Sequence, residues 1–203
     1  MDGRLTIEGI IKNSIALGLK NFLTLFVAFI LWILTLWIPY FNVGTTIGLF
    51  YYLPIKIGKG ESVSPTDIFD AGNRKYMGEF FLTYGLISVG VSAGLIFLII
   101  PAMVIGISWG QALFLLLDKG LEPSQAIKKS NDITYGKKWT IFLGSLLLVI
   151  SIAIGGIVLG WIAGMISMYL RYLIALVLFV IFFPIVISSH GYIYDSLTKE
   201  AGI

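Results

Sequence analysis

IPAMVIGISWGQALFLLLDKGLEPSQAIKKSNDITYGKKWTIF, residues 100–142, is the stretch whose reading decides the fold. An apolar arm follows Pro101 and ends at Asp118-Lys119-Gly120. Glu122-Pro123 then opens a polar helix, expected to reach Lys138, because proline suits the first helical position, where its missing N–H has no partner to lose. Trp139 returns the chain to apolar sequence. The plan is therefore an apolar arm, a charged end, a polar helix and a new apolar arm.

An earlier stretch repeats this plan. Ile38-Pro39, Gly44, Gly48 and Lys59-Gly60 match Ile100-Pro101, Gly106, Gly110 and Lys119-Gly120 with a two-residue difference in length. Ser64-Pro65 through Asn73 matches Glu122-Pro123 through Asn131 without a gap. Ile11-Lys12-Asn13-Ser14 is similar to Ile127-Lys128-Lys129-Ser130. The units would be residues 1–60, 61–120 and 121–203 of a single transmembrane domain, 1–203. The alternative is that any hairpin with a polar connector looks this way. All units face the same way, unlike the inverted repeats of many transporters.

Composition sets the class. Of 203 residues, 58% are hydrophobic and 12% charged, half the charged share of a soluble domain. A water-soluble fold has nowhere to hide that much apolar surface. With no cysteine, disulfides and thiolate metal sites are excluded, and one histidine with eleven scattered acids leaves little for other metals. No catalytic, cofactor-binding or metal site is expected. A net charge of +3 is too small to imply nucleic acid. The charged residues Asp2, Arg4, Glu8, Lys12 and Lys20 precede the first long apolar run, which argues against a cleaved secretory signal.

The expected fold is an all-α polytopic membrane bundle of about six transmembrane helices. They form three hairpins, each preceded by an amphipathic helix on the cytoplasmic side. Residues 22–41 carry no charge, and twenty residues of helix make about 30 Å, the thickness of the hydrocarbon core. The return, 43–57, is short at roughly 22 Å. The other spans are 80–100, 103–117, 139–162 and 172–189, with 190–203 as a tail. Residues 4–20 read as a surface helix with Ile7, Ile11, Ile15 and Gly18 on its apolar stripe. In the next connector, Ser64 is an N-cap with Asp67 at the capping-box position. Thirteen of the 14 Lys and Arg residues fall on one side of this scheme, Arg171 alone on the other. The positive-inside rule then puts both termini in the cytoplasm, with the chain in the plasma membrane.

The central stretch also resembles a prokaryotic family of six-span membrane proteins, itself similar to the membrane domain of some glycerophosphodiester phosphodiesterases. The residues that carry the resemblance are Ile99-Ile100-Pro101, Ala126-Ile127-Lys128 with Ser130, Gly136, Lys138-Trp139 with Phe142, and upstream Gly60-Glu61 with Asp67-Ile68-Phe69. Tyr194-Asp195-Ser196-Leu197 is similar to the family's ending. The resemblance covers the chain from about residue 55. It implies at most a membrane-embedded accessory near lipid metabolism; hydrolysis is not carried over, since the resemblance includes no phosphodiesterase catalytic domain.

Several residues could carry function. Lys128, Lys129, Lys137 and Lys138 are placed to meet anionic lipid headgroups, although topology alone explains their position. Ser108 and Gln111 are polar within a span, as interhelical glue or pore lining; Thr45 and Thr46 belong with them. Gly44/Gly48, Gly90/Gly94, Gly106/Gly110 and Gly156/Gly160/Gly164 have the small-residue spacing that lets helices approach within the chain or between copies of a homo-oligomer. Ser188-Ser189, His190 and Asp195 have the residue types of a catalytic triad but sit in one local segment, whereas a triad converges from separate elements. The expected function is therefore non-enzymatic: binding or organising membrane lipid, anionic lipid included, or a membrane partner. The alternative is an oligomeric channel or facilitator for a small solute or ion.

Overall fold

A computed structural model describes residues 4–203. Every regular element among them is helical. The α-helices are α1 (Ile7–Lys20), α2 (Phe22–Thr35), α3 (Pro39–Ile47), α4 (Leu53–Lys59), α5 (Met77–Ile96), α6 (Ile99–Trp109), α7 (Ala112–Lys119), α8 (Pro123–Thr134), α9 (Lys138–Ile166) and α10 (Met168–Glu200). A π-helical turn, Gly48–Tyr52, joins α3 to α4, and two 3-10 turns, Pro65–Phe69 and Ala71–Arg74, fill the connector before α5.

Among the described residues, four helical segments are long and apolar enough to cross a membrane: Met77–Ile96, Ile99–Lys119, Lys138–Ile166 and Met168–Glu200. The pair α1 and α2, bent by 72°, makes a fifth if counted as one. The chain is thus a multi-pass helical membrane protein. Six crossings go further than these lengths. The stretch expected as the first span holds α2, only 14 residues long, or about 21 Å.

Helix α1 starts where Thr6 Oγ1 accepts a hydrogen bond from Gly9 N at 3.0 Å, an N-cap that satisfies one orphan amide. Its fully buried stripe is Ile10, Ser14 and Gly18. Of the expected stripe, Gly18 is buried, whereas Ile7, Ile11 and Ile15 are only half-buried. The shift has a packing cause. Ile10 enters the space left by Gly144 of α9, and Gly18 lies on the Ile185 backbone of α10, where an added Cβ would meet Cα at 2.6 Å. Rather than lying alone on the membrane surface, α1 is wedged between α9 and α10.

The second connector differs from the amphipathic helix expected there. Its capping box is present, with Ser64 and Asp67 bonding reciprocally. The helix nonetheless stops at Asp70, whose ψ of 130° is extended and whose Oδ1 accepts from Gly72 N at 2.7 Å. Short side-chain acceptors compete with helical bonding in this way. The third connector does form a helix, but α8 ends at Thr134, four residues short of Lys138, because Tyr135 is extended.

The C-terminal segment corrects a further expectation. It is no tail: α10 runs unbroken to Glu200 through Pro184. Ile193, Tyr194 and Leu197 join the main core with residues 112–117 of α7, Ala126 and Ile133 of α8, and Ile141 of α9. A second cluster packs Leu25 and Ala28 of α2 on Leu49, Leu53, Ile57, Ile68 and Ile187. Both cores lie among the helix ends that carry the basic residues. The opposite turns are bare, with Trp37 91%, Ile96 84% and Tyr169 83% exposed. So large an apolar surface is untenable in water and ordinary in lipid.

Candidate functional site: a lysine-headed furrow and a basic cleft

Helix α9 carries one continuous apolar face from Lys138 to Ile157. At its start a cavity of about 250 Å³ lies between α6 and α9, with Met103, Val104 and Ile107 on one wall and Trp139 and Phe142 on the other. Tyr135 and Lys138 stand at its head. Ile107 and Phe142 also line the next hollow, of about 320 Å³, which continues past Ser145 and Leu146 to Val149. Val149 in turn opens a third, of about 410 Å³, between α9 and α10, walled by Ala153, Gly156, Leu178 and Phe182. Positions 142, 146, 149, 153 and 156 recur every three or four residues, so the three hollows share one helix face. The furrow runs roughly 27 Å, from eighteen residues at the helical rise.

The four candidate lysines divide among different surroundings. Lys138 heads the furrow, its Nζ donating to Asn131 Oδ1 at 3.3 Å. Lys137 is committed to an ion pair with Glu200 at 2.9 Å. Lys128 and Lys129 line a separate cleft of about 360 Å³ together with Lys119, Gln125 and Asp132, over Leu115, Leu121 and Ile203. Among the described residues no carboxylate lies within 4.0 Å of Lys128 or Lys129. Lys119 was not anticipated as a third member; its place beside an αL glycine at a span's end read only as a helix stop.

Ser108 and Gln111 lie where α6 breaks into α7, buried against α8. The Ser130 hydroxyl bridges the break. It donates to Ser108 O at 2.6 Å and accepts from Gln111 N at 3.1 Å, serving two backbone groups that the break would strand. Gln111 Oε1 is buried without a hydrogen-bond partner. Thr45 bonds Thr35 at 2.8 Å, and Trp32 Nε1 donates to Thr46 at 2.8 Å, so both threonines bind α2 to α3.

The glycines sort by what they touch. Gly90 and Gly94 are packed by Trp109 and by the Ala102 backbone of α6. Gly44 and Gly48 are packed by Arg74 and by Asn73 and Ile68, that is, by the connector rather than by another span. Gly106 has only Val91 at 3.9 Å, Gly110 meets the Gly106 carbonyl of its own segment, and Gly160 has nothing within 4 Å. Among the described residues, no neighbouring helix presses on those three. Gly156 touches Leu178 at the ordinary distance of 3.5 Å, and Gly164 receives the Arg171 guanidinium.

Among the described residues no serine hydroxyl is hydrogen-bonded to His190, and Ser188 Oγ is buried without a partner. Ser189 Oγ donates to Val186 O at 2.7 Å, Asp195 is paired with Lys199 at 2.6 Å, and the His190 ring stacks on Phe114 with centroids 6.3 Å apart. Among the described residues no three His, Asp or Glu side chains are grouped as metal ligands. No family model matches the chain, and comparison with the curated proteins and with the solved structures finds no match either.

Proposed function

We propose that this is a non-catalytic membrane protein that binds anionic phospholipid, with an acyl chain in the α9 furrow and the headgroup at Lys138. The carrying observation is the furrow itself: three adjoining, mainly apolar hollows that share Ile107, Phe142 and Val149, with Lys138 at one end as the only charged wall residue among the described residues. Its length exceeds one leaflet's share of a hydrocarbon core about 30 Å thick. Trp139 is 72% exposed beside Lys138, as suits an indole at the membrane–water boundary. Lys128, Lys129 and Lys119 add cationic surface nearby. The resemblance in residues 99–142 accords with an accessory role in lipid metabolism.

The test is lipid retention by the purified full chain in mixed anionic and zwitterionic nanodiscs. Ala153→Trp, which fills the furrow, should abolish retention. Lys138→Gln should cost about 1 kcal/mol for one basic contact, roughly fivefold, and only for anionic lipid. Retention unchanged in both variants would sink the reading. The channel alternative draws no support from Ser108 and Gln111: both are buried, and the Ser108 hydroxyl donates to Val104 O of its own helix at 2.6 Å.

The same reading puts both termini in the cytoplasm of a plasma-membrane protein, with four full crossings and a first hairpin that enters without crossing. Phe69 of the polar connector stacks on Phe41 at 5.6 Å, and Arg74 lies 5.8 Å from the Tyr40 ring. Were that hairpin to cross, it would carry the charged connector into the hydrocarbon, an unfavourable place for Arg74. The chain has no cysteine, so single cysteines report cleanly. Tyr169→Cys should react with an impermeant thiol reagent from outside and Trp37→Cys should not; labelling of both would restore six crossings.

A further inference from the structure

A second cavity, of about 470 Å³, opens among the basic helix ends, outside the furrow and sharing only Lys119 with the basic cleft. Three lysines and three aspartates line it: Lys56, Lys75, Lys119, Asp67, Asp70 and Asp118. The charges are not equally available. Lys56 is paired with Asp67 at 2.9 Å. Asp118 accepts from Lys59 and, at 2.7 Å, from the Tyr194 hydroxyl. Lys119 is a second ion-pair partner of Asp118, at the longer distance of 3.6 Å. Lys75 has no carboxylate partner among the described residues, and its ammonium lies 4.8 Å from the Tyr76 ring centre. Asp70 has no cation within 4.0 Å among them either, and it spends one oxygen on Gly72 N.

Outside the Lys56–Asp67 and Lys59–Asp118 pairs are left Lys75, Asp70 and Lys119, the last a second and longer ion-pair partner of Asp118, between the aromatic walls of Tyr52 and Tyr76. Their sum is +1. Its complement is a small molecule carrying close to two negative charges and one positive. A phosphate monoester holds about −1.5 to −2 near neutral pH, and a primary amine adds +1. We infer that this cavity binds a small amino-phosphomonoester of the phosphoethanolamine type, the phosphate between Lys75 and Lys119 and the ammonium on Asp70. Such charge-assisted bonds are the strong ones, and Asp70 rejects a plain phosphate by like charge. The same amine and phosphate occur in the headgroup of phosphatidylethanolamine, but there the phosphate is a diester of single charge. The charge match favours the free monoester.

The experiment uses the full chain in phosphate-free detergent. Phosphoethanolamine, inorganic phosphate and ethanolamine are titrated separately, with calorimetry and thermal unfolding as readouts. Phosphoethanolamine should bind at least tenfold tighter than either half. Asp70→Asn preserves the cap on Gly72, since asparagine also caps, so the fold survives; it should erase that tenfold preference while leaving phosphate binding. Lys75→Gln, on the exposed rim, should weaken phosphoethanolamine and phosphate alike. Equal affinity for phosphate and phosphoethanolamine, or indifference to Asp70→Asn in a folded variant, overturns the assignment. A parallel arm compares nanodiscs with and without phosphatidylethanolamine. Binding of the soluble compound regardless of lipid supports the free monoester, whereas Asp70-dependent retention of the lipid with no soluble binding overturns it in favour of the headgroup.

Discussion

Two stretches of this chain follow one plan and close it differently. In the first, α3, the π turn and α4 run from Pro39 to Lys59; in the second, α6 and α7 run from Ile99 to Lys119. Each loses regular α geometry at its second spaced glycine, Gly48 or Gly110. Each ends on Lys-Gly with the glycine left-handed, φ 78° at Gly60 and 65° at Gly120. Each is followed by a proline-initiated connector that folds back onto the irregular point, through Asn73 on Gly48 and through Ser130 on the Ser108–Gln111 break. They diverge one residue before the lysine, where Gly58 stands opposite Asp118. The end of α10 lies against both. It meets Gly58 backbone to backbone through Gly191, and it meets Asp118 through a hydrogen bond from Tyr194. Shape closes one seam and charge the other.

Breaking the shape seam should have the largest effect. A Cβ on Gly58 would strike the Gly191 carbonyl, and one on Gly191 would strike the Pro54 carbonyl. Backbone cannot yield as a side-chain tip can. Gly191→Ala should therefore cost at least about 3 kcal/mol, the upper range for overpacking, and Gly58→Leu should give no folded protein in detergent. Denaturant unfolding measures the first and monodisperse yield the second. A well-folded Gly58→Leu would show that shape does not set this seam.

The charge seam should break more gently. Asp118→Leu strands the Tyr194 hydroxyl and the Lys59 ammonium; an unsatisfied buried group costs about 1–3 kcal/mol. Lys59 keeps partial access to water, which limits its share. Asp118→Asn retains an acceptor for Tyr194 and should lose less. In a double-mutant cycle, Asp118→Leu and Tyr194→Phe should be markedly non-additive. Additive losses would mean that the two groups do not hold one another.

Much of this plan was legible in residues whose effect is local. Pro39, Pro123, the Ser64–Asp67 capping box and the Lys-Gly ends each act within one turn, so sequence reads them directly. Membrane residence followed from composition, and the helical class from uncharged runs of spanning length. Legibility failed where distant backbone decides. The stripe of α1 is set by Gly144 and Ile185, more than a hundred residues away. Residues 190–200 look like a polar tail, yet Thr198 satisfies itself on Tyr194 O and Asp195 O, both at 3.0 Å, and so enters the core at little cost. Of the four candidate lysines, nothing local distinguishes Lys137, held by Glu200, from Lys138, which heads the furrow. The furrow itself is lined by ordinary aliphatic residues, and no motif marks a gap between helices.

The smallest expected difference separates the two left-handed glycines, and it bears directly on the polar cavity. Alanine at either position must adopt a conformation costing roughly 1–2 kcal/mol. That term is common to both, since their φ values differ by only 13° (78° against 65°). Their surroundings are not common. At Gly60 an added Cβ has nothing within 4 Å, whereas at Gly120 it meets the Tyr76 hydroxyl at 2.8 Å. Tyr76 is a cavity wall, and its hydroxyl is the far end of a side chain that can turn aside. Gly120→Ala should therefore exceed Gly60→Ala by a fraction of a kcal/mol in unfolding, while only Gly120→Ala weakens phosphoethanolamine binding. Equal stability losses with unchanged binding would mean that Tyr76 is not held over Gly120, and the cavity would lose the wall that distinguishes the second stretch from the first.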